Sequence, residues 1–386
     1  MEPAIPMPET LVAVDPQVAN DDSWTRREIH QQPATLRATH AVLAAERDGI
    51  AAFLAPLLAQ PDLRIMLCGA GTSAFIGECL APWLTATLGR PVEAVATTDI
   101  VGSPNFYLDA RRPTLMVSFG RSGNSPESVA AVELADARLT SVHHLVITCN
   151  DDGALAKRPG AIGHVVRLPE ETHDRAFAMT SSFSAMLYAA LAIFTGIDAM
   201  ATRIEAIAEA VATTLEHADA EATELAACDF DRVVYLGSGA FQGLARESAL
   251  KLLELTDGAI PTAFDSSLGF RHGPKTIVTE RTLVVVFVSN DPLTRLYDLD
   301  IIAELRADGR CGRVLPVMAR DGVDDALLVL NGTLMADADL LFPYVVPAQL
   351  FGLHCSLRLG RTPDQPNASG TVNRVVQGVR IHTQPA

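Results

Sequence analysis

Apolar and polar positions along the chain follow two rhythms. Short unbroken apolar runs occur at RIMLC (64–68), EAVATT (93–98), TLMVS (114–118), HLVIT (144–148) and HVVRL (164–168). Between them, apolar residues recur every three or four positions. Unbroken runs of this length fit strands covered on both faces, and the intervening period fits helices. The alternation predicts an α/β fold built on a doubly wound, mainly parallel sheet flanked by helices. Ahead of it, EIHQQ (28–32) reads as a short helical turn ended by Pro33, and an Ala/Leu-rich amphipathic segment lies near 34–59. Residues 198–227 carry an Ala/Glu pattern with no turn signal, which predicts a linking helix.

After that helix the pattern restarts. RVVYLGSGAFQG (232–243) echoes RIMLCGAGTSAFIG (64–77), LVVVFVSNDPL (283–293) echoes LMVSFGRSGNS (115–125), and VLPVMA (314–319) echoes LVITCN (145–150). The offset is 168 residues from Gly71 to Gly239 and 171 from Ser118 to Ser289. This implies two tandem copies of one α/β unit. The division expected is a flexible arm over 1–23, a helical lead-in and first unit over 24–200, a linking helix over 201–227, a second unit over 228–361 and a tail over 362–386.

The copies differ at one loop. SFGRSGNSPES (118–128) sets four serines and two glycines where a strand turns into a helix, whereas the second copy has NDPL in place of SGNS. Helix N-termini at the carboxyl ends of parallel strands present free N–H groups to anions. Ser118, Ser122, Asn124 and Ser125 add donors there, and Gly120 and Gly123 let the backbone approach closely. Gly71, Thr72 and Ser73 end the first strand in the same manner, and Thr180 and Ser181 open a third helix. Serines before Pro and Glu also serve as plain helix caps. Three such loops in one copy favour a single site for a phosphate, and the divergent second copy implies one site per chain.

The charge narrows the ligand. A net charge of −16 over 386 residues disfavours a nucleic-acid partner. With neither a P-loop nor a GxGxxG motif in place, the ligand expected is a phosphorylated small molecule. No apolar run approaches the roughly 18–20 residues needed to span a bilayer, and the N-terminal stretch lacks a basic segment before an apolar core, so a cytoplasmic protein without a membrane partner is expected. The six cysteines form no CxxC pair, and Cys68, Cys149 and Cys355 sit in apolar surroundings as buried thiols. His173 and Asp174 make too weak a pattern for a metal, so neither metal nor organic cofactor is expected.

ARESALKLLELTDG (245–258) carries a second constellation. Glu247, Lys251 and Glu254 fall at i, i+4 and i+7 on one helix face. Such spacing commonly marks a solvated Glu–Lys pair. Against that, Leu252, Leu253 and Leu255 flank Glu254 and would desolvate it, raising its pKa toward that of a useful base. Downstream, SSLGFRHGPKTIV (266–278) places His272 between Arg271 and Lys275 in a rigid turn that would bring the imidazole and two cations together.

SFGRSGNSPES, GAGTSAFIG, the duplication and ESALKLLEL with RHGP together resemble the SIS (sugar isomerase) family, whose members act on hexose phosphates. PEETHDRAFAMTSS (169–182) and TPDQPNASGTVNRVVQGV (362–379) are similar to stretches of its AgaS branch, known as tagatose-6-phosphate ketose/aldose isomerase or galactosamine-6-phosphate deaminase/isomerase. The resemblance covers nearly the whole chain and makes each α/β unit an SIS domain. By similarity to the isomerase half of glucosamine-6-phosphate synthase, Ser122 and Ser125, with backbone amides near Arg121 and Gly123, would hold the phosphate. Thr72 and Ser73 would line the same pocket, with Thr180 close to the sugar. Glu254 would shuttle a proton between carbons 1 and 2, with Glu247 and Lys251 as helix neighbours. His272 would help open the sugar ring from a neighbouring subunit, which implies a homodimer or higher homo-oligomer with shared active sites. The synthase loop reads Ser-Gln-Ser where this chain has Gly120-Arg121-Ser122, so Arg121 would add charge to the grip. Its tail carries a lysine near the active site, where this chain offers Asn373 or Arg374. The chain lacks the synthase's glutaminase, whose cysteine supplies ammonia, so the expected direction is deamination. The expectation is an isomerising deaminase giving tagatose-6-phosphate and ammonia from galactosamine-6-phosphate. A ketose/aldose isomerase without deamination and a sugar-phosphate sensor are the alternatives.

Overall fold

The computed structural model describes residues 22–157, 163–376 and 378–382. Most of the arm expected over 1–23 lies outside the described residues. Two helices lead in, α1 (Trp24–His30) and α2 (Gln32–Leu58). Pro33 stands in the first turn of α2. It therefore opens the longer helix and does not end the shorter one, because a residue without an N–H is tolerated at a helix start.

The first sheet holds β1 (Arg64–Gly69), β2 (Val92–Ala96), β3 (Thr114–Gly120), β4 (Val142–Thr148) and β5 (Gly163–Arg167) in the order β2-β1-β3-β4-β5. The second holds β6 (Arg232–Gly237), β7 (Thr262–Asp265), β8 (Thr282–Phe287), β9 (Arg313–Met318) and β10 (Leu327–Leu328) in the order β7-β6-β8-β9-β10. Every pairing is parallel. The second sheet repeats the first strand for strand. Both centres, β1 with β3 and β6 with β8, are unbroken apolar runs buried along their length. Such strands must be covered on both faces, and the connecting helices cover them.

Helices that connect or flank these strands include α3 (Thr72–Leu88), α4 (Thr97–Gly102), α5 (Pro126–Arg138), α6 (Ser181–Thr195), α7 (Ile204–Ala227) and α8 (Ala240–Leu255). Helices α3 and α8 start after Gly71 and Gly239, whose φ values of 56° and 59° are nearly equal and favour glycine in both copies. They cross at close range. A Cβ on Gly243 would come within 2.5 Å of the Cys79 backbone nitrogen. That contact sets α8, from the second copy, against the carboxyl end of the first sheet. The helix expected over 198–227 breaks at Thr202 and Arg203, where Arg203 pairs with Asp339 at 2.5 Å. Its main part, α7, is no free link, because a full face of it is buried in the core.

The remaining long helices are α9 (Pro292–Asp308) and α10 (Asp337–Arg358). Helix α10 corrects the expectation that no stretch is long and apolar enough to span a bilayer. Its length and composition meet that test, but 94% of its apolar window is enclosed by the protein. It packs against α7 and α8 as a core helix.

Candidate active site

A cavity of about 270 Å³ opens at the carboxyl ends of β1 and β3. The turn into α3 contributes Gly71, Thr72 and Ser73 to it, and the loop into α5 contributes Arg121, Ser122, Gly123 and Ser125. Ser125 occupies the N-cap of α5 yet its side chain makes no capping bond. Helix capping alone therefore does not account for its hydroxyl. Gly123, at φ 65°, takes a conformation that a side chain would strain. Asn150 Nδ2 braces this loop by donating to Ser122 O at 2.8 Å.

Arg121 gives the cavity its charge. The residue is 7% exposed, and its guanidinium donates to Ala176 O, Phe177 O and Arg374 O at 3.3, 2.9 and 2.6 Å. Main-chain carbonyls hold it in place, and they leave its charge unneutralised. Burial first, then the nearby Arg374, lowers its pKa to about 10, so it stays cationic at neutral pH. Arg374 also lines the cavity, reaching it from the tail with Asn373. The Arg374 side chain donates to Asp174 O and Ala176 O.

Helix α8 supplies the opposite wall through Glu254. Lys251 Nζ stands 2.6 Å from Glu254 Oε2, 3.5 Å from Glu247 Oε1 and 3.1 Å from Thr72 Oγ1. Glu247 and Lys251 are fully buried, so this is not a solvated helix face. Burial tends to lower the Lys251 pKa, but the two carboxylates outweigh it and hold the ammonium above its ordinary value. The desolvated carboxyl of the trio is Glu247, pushed up to about 7 by burial against the pull of Lys251. Leu253, expected to shield Glu254, is instead 40% exposed. Helical spacing thus picks out three side chains that do come together, and the wrong buried member.

Other expected residues stand elsewhere. Ser181 is fully buried, and its hydroxyl donates to Asp174, as does that of Ser182. The Thr180 and Ser182 amides donate to Asp174 Oδ2 at 2.8 and 2.9 Å. The third loop thus closes on the protein's own carboxylate, and neither Thr180 nor Ser181 lines the cavity. Asn124 turns away to accept from the Ala154 amide at 2.9 Å. Ser118 stays inside β3 with its hydroxyl buried and unpartnered. His272 is exposed and outside the cavity. Its neighbours Arg271 and Lys275 do converge, but on Glu304 of α9. A larger hollow of about 720 Å³ along β4 and β5 is lined neither by residues 121–125 nor by Glu247, Lys251 or Glu254. Among the described residues no group of three His, Cys, Asp or Glu side chains could hold a metal ion.

Sequence reasoning missed Glu28. It is 3% exposed, accepts from the Arg175 and Ala176 amides, and braces the loop that holds both arginines. Burial first, then the charge of Asp174, pushes its pKa up to about 8. The only signal available was an acidic residue inside an otherwise ordinary helical turn.

Among known proteins, the SIS domain matches residues 57–196. The chain is 46% identical over 385 residues to D-galactosamine-6-phosphate deaminase AgaS of Escherichia coli, covering 97% of this chain and 99% of that protein. It is 43% identical over 365 residues to the protein of the same name from Shewanella sp. (strain ANA-3), covering 93% and 92%. The crystal structure of tagatose-6-phosphate ketose/aldose isomerase from Escherichia coli superposes with a TM-score of 0.88 at 43% identity, over 94% of this chain and 98% of that one.

Proposed function

Because the chain belongs to the SIS family, in its D-galactosamine-6-phosphate deaminase branch, we propose that it is an isomerising deaminase producing tagatose-6-phosphate and ammonia from galactosamine-6-phosphate. One observation carries the reading. A hydroxyl-rich helix terminus with the buried Arg121 faces Glu254, which the buried Lys251 holds from behind, across one cavity of about 270 Å³. That arrangement holds an anion at one end of a small molecule and moves a proton at the other.

In this reading Ser122, Ser125 and the first turn of α3 hold the phosphate, with Arg121 adding charge. Binding there orients the sugar and contributes nothing to bond changes. Glu254 takes the proton from carbon 2 of the open-chain aldehyde, whose neighbouring carbonyl acidifies it, and returns it to carbon 1. The enolamine becomes a ketimine, which water converts to the ketose and ammonia. Lys251, itself held by Thr72, fixes the Glu254 carboxylate, and Thr72 on the cavity wall stabilises charge on the enol oxygen. His272, exposed and outside the cavity of its own chain, serves ring opening in the cavity of a second copy. No cofactor is required.

The test measures ammonia and ketose phosphate together from galactosamine-6-phosphate, with glucosamine-6-phosphate and tagatose-6-phosphate beside it. Ammonia formed in step with ketose is expected. Interconversion of tagatose-6-phosphate with an aldose and no ammonia would make the protein a plain ketose/aldose isomerase, the activity named for its structural relative. Mixing Glu254→Gln with His272→Asn, each inactive alone, should restore activity where one copy lends its histidine to another. No recovery would exclude the shared site.

A further inference from the structure

One carboxylate in the cavity has no part in that reaction. Glu127 stands in the first turn of α5, two residues beyond Ser125, and lines the cavity with Arg121, Ser122 and Ser125. Its Oε2 is buried with no hydrogen-bond partner. A buried carboxylate oxygen without a donor is costly, and beside a phosphate cradle it repels a dianion.

Both difficulties vanish if the ligand brings a proton. A singly protonated phosphate offers an O–H that Glu127 can accept, so that the complex holds one proton between carboxylate and ligand. A phosphate monoester supplies it readily, since its second pKa is about 6. A sulfate ester carries no such proton near neutrality. We propose that Glu127 is a specificity-determining residue that admits the phosphate monoester of the sugar and rejects its sulfate ester. The proposal rests on the phosphate reading of the cavity.

Other charged groups face the same space. Arg121, Arg374 and Glu254 line it, and Lys251 with Glu247 lies behind Thr72. None of them donates to Oε2 of Glu127. Any pH effect of theirs persists in a Glu127 variant, so the difference between variant and wild type isolates this residue. A carboxylate serving only the helix dipole would alter thermal stability and leave anion preference alone.

The experiment compares a hexitol 6-phosphate with the same hexitol's 6-sulfate as competitive inhibitors of the wild-type protein and Glu127→Gln, from about pH 5.5 to 8.5, across the second pKa of the phosphate monoester. The wild type should favour phosphate, and that inhibition should weaken as pH rises past about 6. The glutamine variant offers an amide donor, so sulfate should gain about tenfold or more relative to phosphate and the pH dependence should flatten. An unchanged sulfate-to-phosphate ratio would overturn the proposal, as would an unchanged pH profile. Glu127→Ala serves the same comparison should the glutamine variant fold poorly. Ser122→Ala runs in parallel. If it weakens phosphate while Glu127→Gln leaves the ratio alone, only the Glu127 role falls; if it leaves phosphate inhibition untouched, the cradle falls with it.

Discussion

The two sheets end in the same loops and put them to opposite uses. In the first copy, the α5 N-cap hydroxyl of Ser125 is left without a capping bond, beside the buried Arg121, whose hydrogen bonds go to main-chain carbonyls. In the second, the protein fills the corresponding place with its own carboxylates. Asp298 accepts from Ser238 Oγ at 2.8 Å, Ser267 Oγ at 2.5 Å and the Ser289 amide at 3.0 Å. Asp337 accepts from Ser289 Oγ at 2.5 Å and the Asn290 amide at 2.8 Å. Asp291 caps α9 by accepting from the Leu293 and Thr294 amides. Duplication of a fold thus duplicates a set of donors, and a ligand site survives only where no side chain answers them. In the second copy those donors are taken up by internal bonds, and its helix α8 lines the cavity of the first copy through Glu254.

The sharpest break between the copies lies in catalysis. Glu254→Gln should cut turnover by about a hundred- to ten-thousandfold, the usual weight of a general base, while inhibition by inorganic phosphate stays near wild type. Steady-state kinetics of both quantities checks it, and retained turnover removes Glu254 from the base role. Next in size is Asp337→Ala in the second copy. It strands the Ser289 hydroxyl and the Asn290 amide, at a cost of about 2–4 kcal/mol of stability. Chemical denaturation should show that loss without a change in KM. A raised KM at unchanged stability would mean that the second loop still serves ligand. Ser125→Ala in the first copy should do the converse. Phosphate affinity should fall by about tenfold, with little change in stability, because no internal bond is lost. Stability loss without weaker inhibition would make Ser125 an ordinary cap.

Whether a feature is legible in the sequence depends on the range of the contacts that define it. β1, β3, β6 and β8 were legible because a doubly covered strand must be an unbroken apolar run. The Ser122–Ser125 loop and the Glu247–Lys251–Glu254 face were legible because each lies within a few residues of chain. The use made of Ser181 was not, since its partner Asp174 is the chain's answer to a helix N-terminus and any acid could have filled that role. Glu28 was hidden for a like reason: it reaches the Arg175 amide from 147 residues away. Helix α10 was obscured because Asp337, Asp339 and Arg358 interrupt its ends and Pro343 and Pro347 its middle. Its burial is a tertiary fact. Composition offered no means of telling which of Glu247 and Glu254 lies inside.

The smallest effect separates the copies by pH. Glu28 and Glu247 brace the first-copy cavity, and burial raises both from an ordinary 4.5, to about 8 and about 7. Between those values the folded chain holds protons that the unfolded chain has released. Stability from these groups is therefore complete below about 4.5 and is lost as pH rises through 7 to 8. Asp298 and Asp337, raised by burial in the second copy, contribute with the same sign. Glu28→Gln keeps an acceptor for the Arg175 and Ala176 amides while removing the ionisation. Its melting temperature should fall less between about pH 6 and 8.5 than that of the wild type, whereas Asp337→Asn should leave this near-neutral slope as it was. An equal slope in Glu28→Gln would mean that Arg374, which faces Glu28 across the loop, already neutralises it, so that the first-copy wall is held by an ion pair and not by a protonated acid.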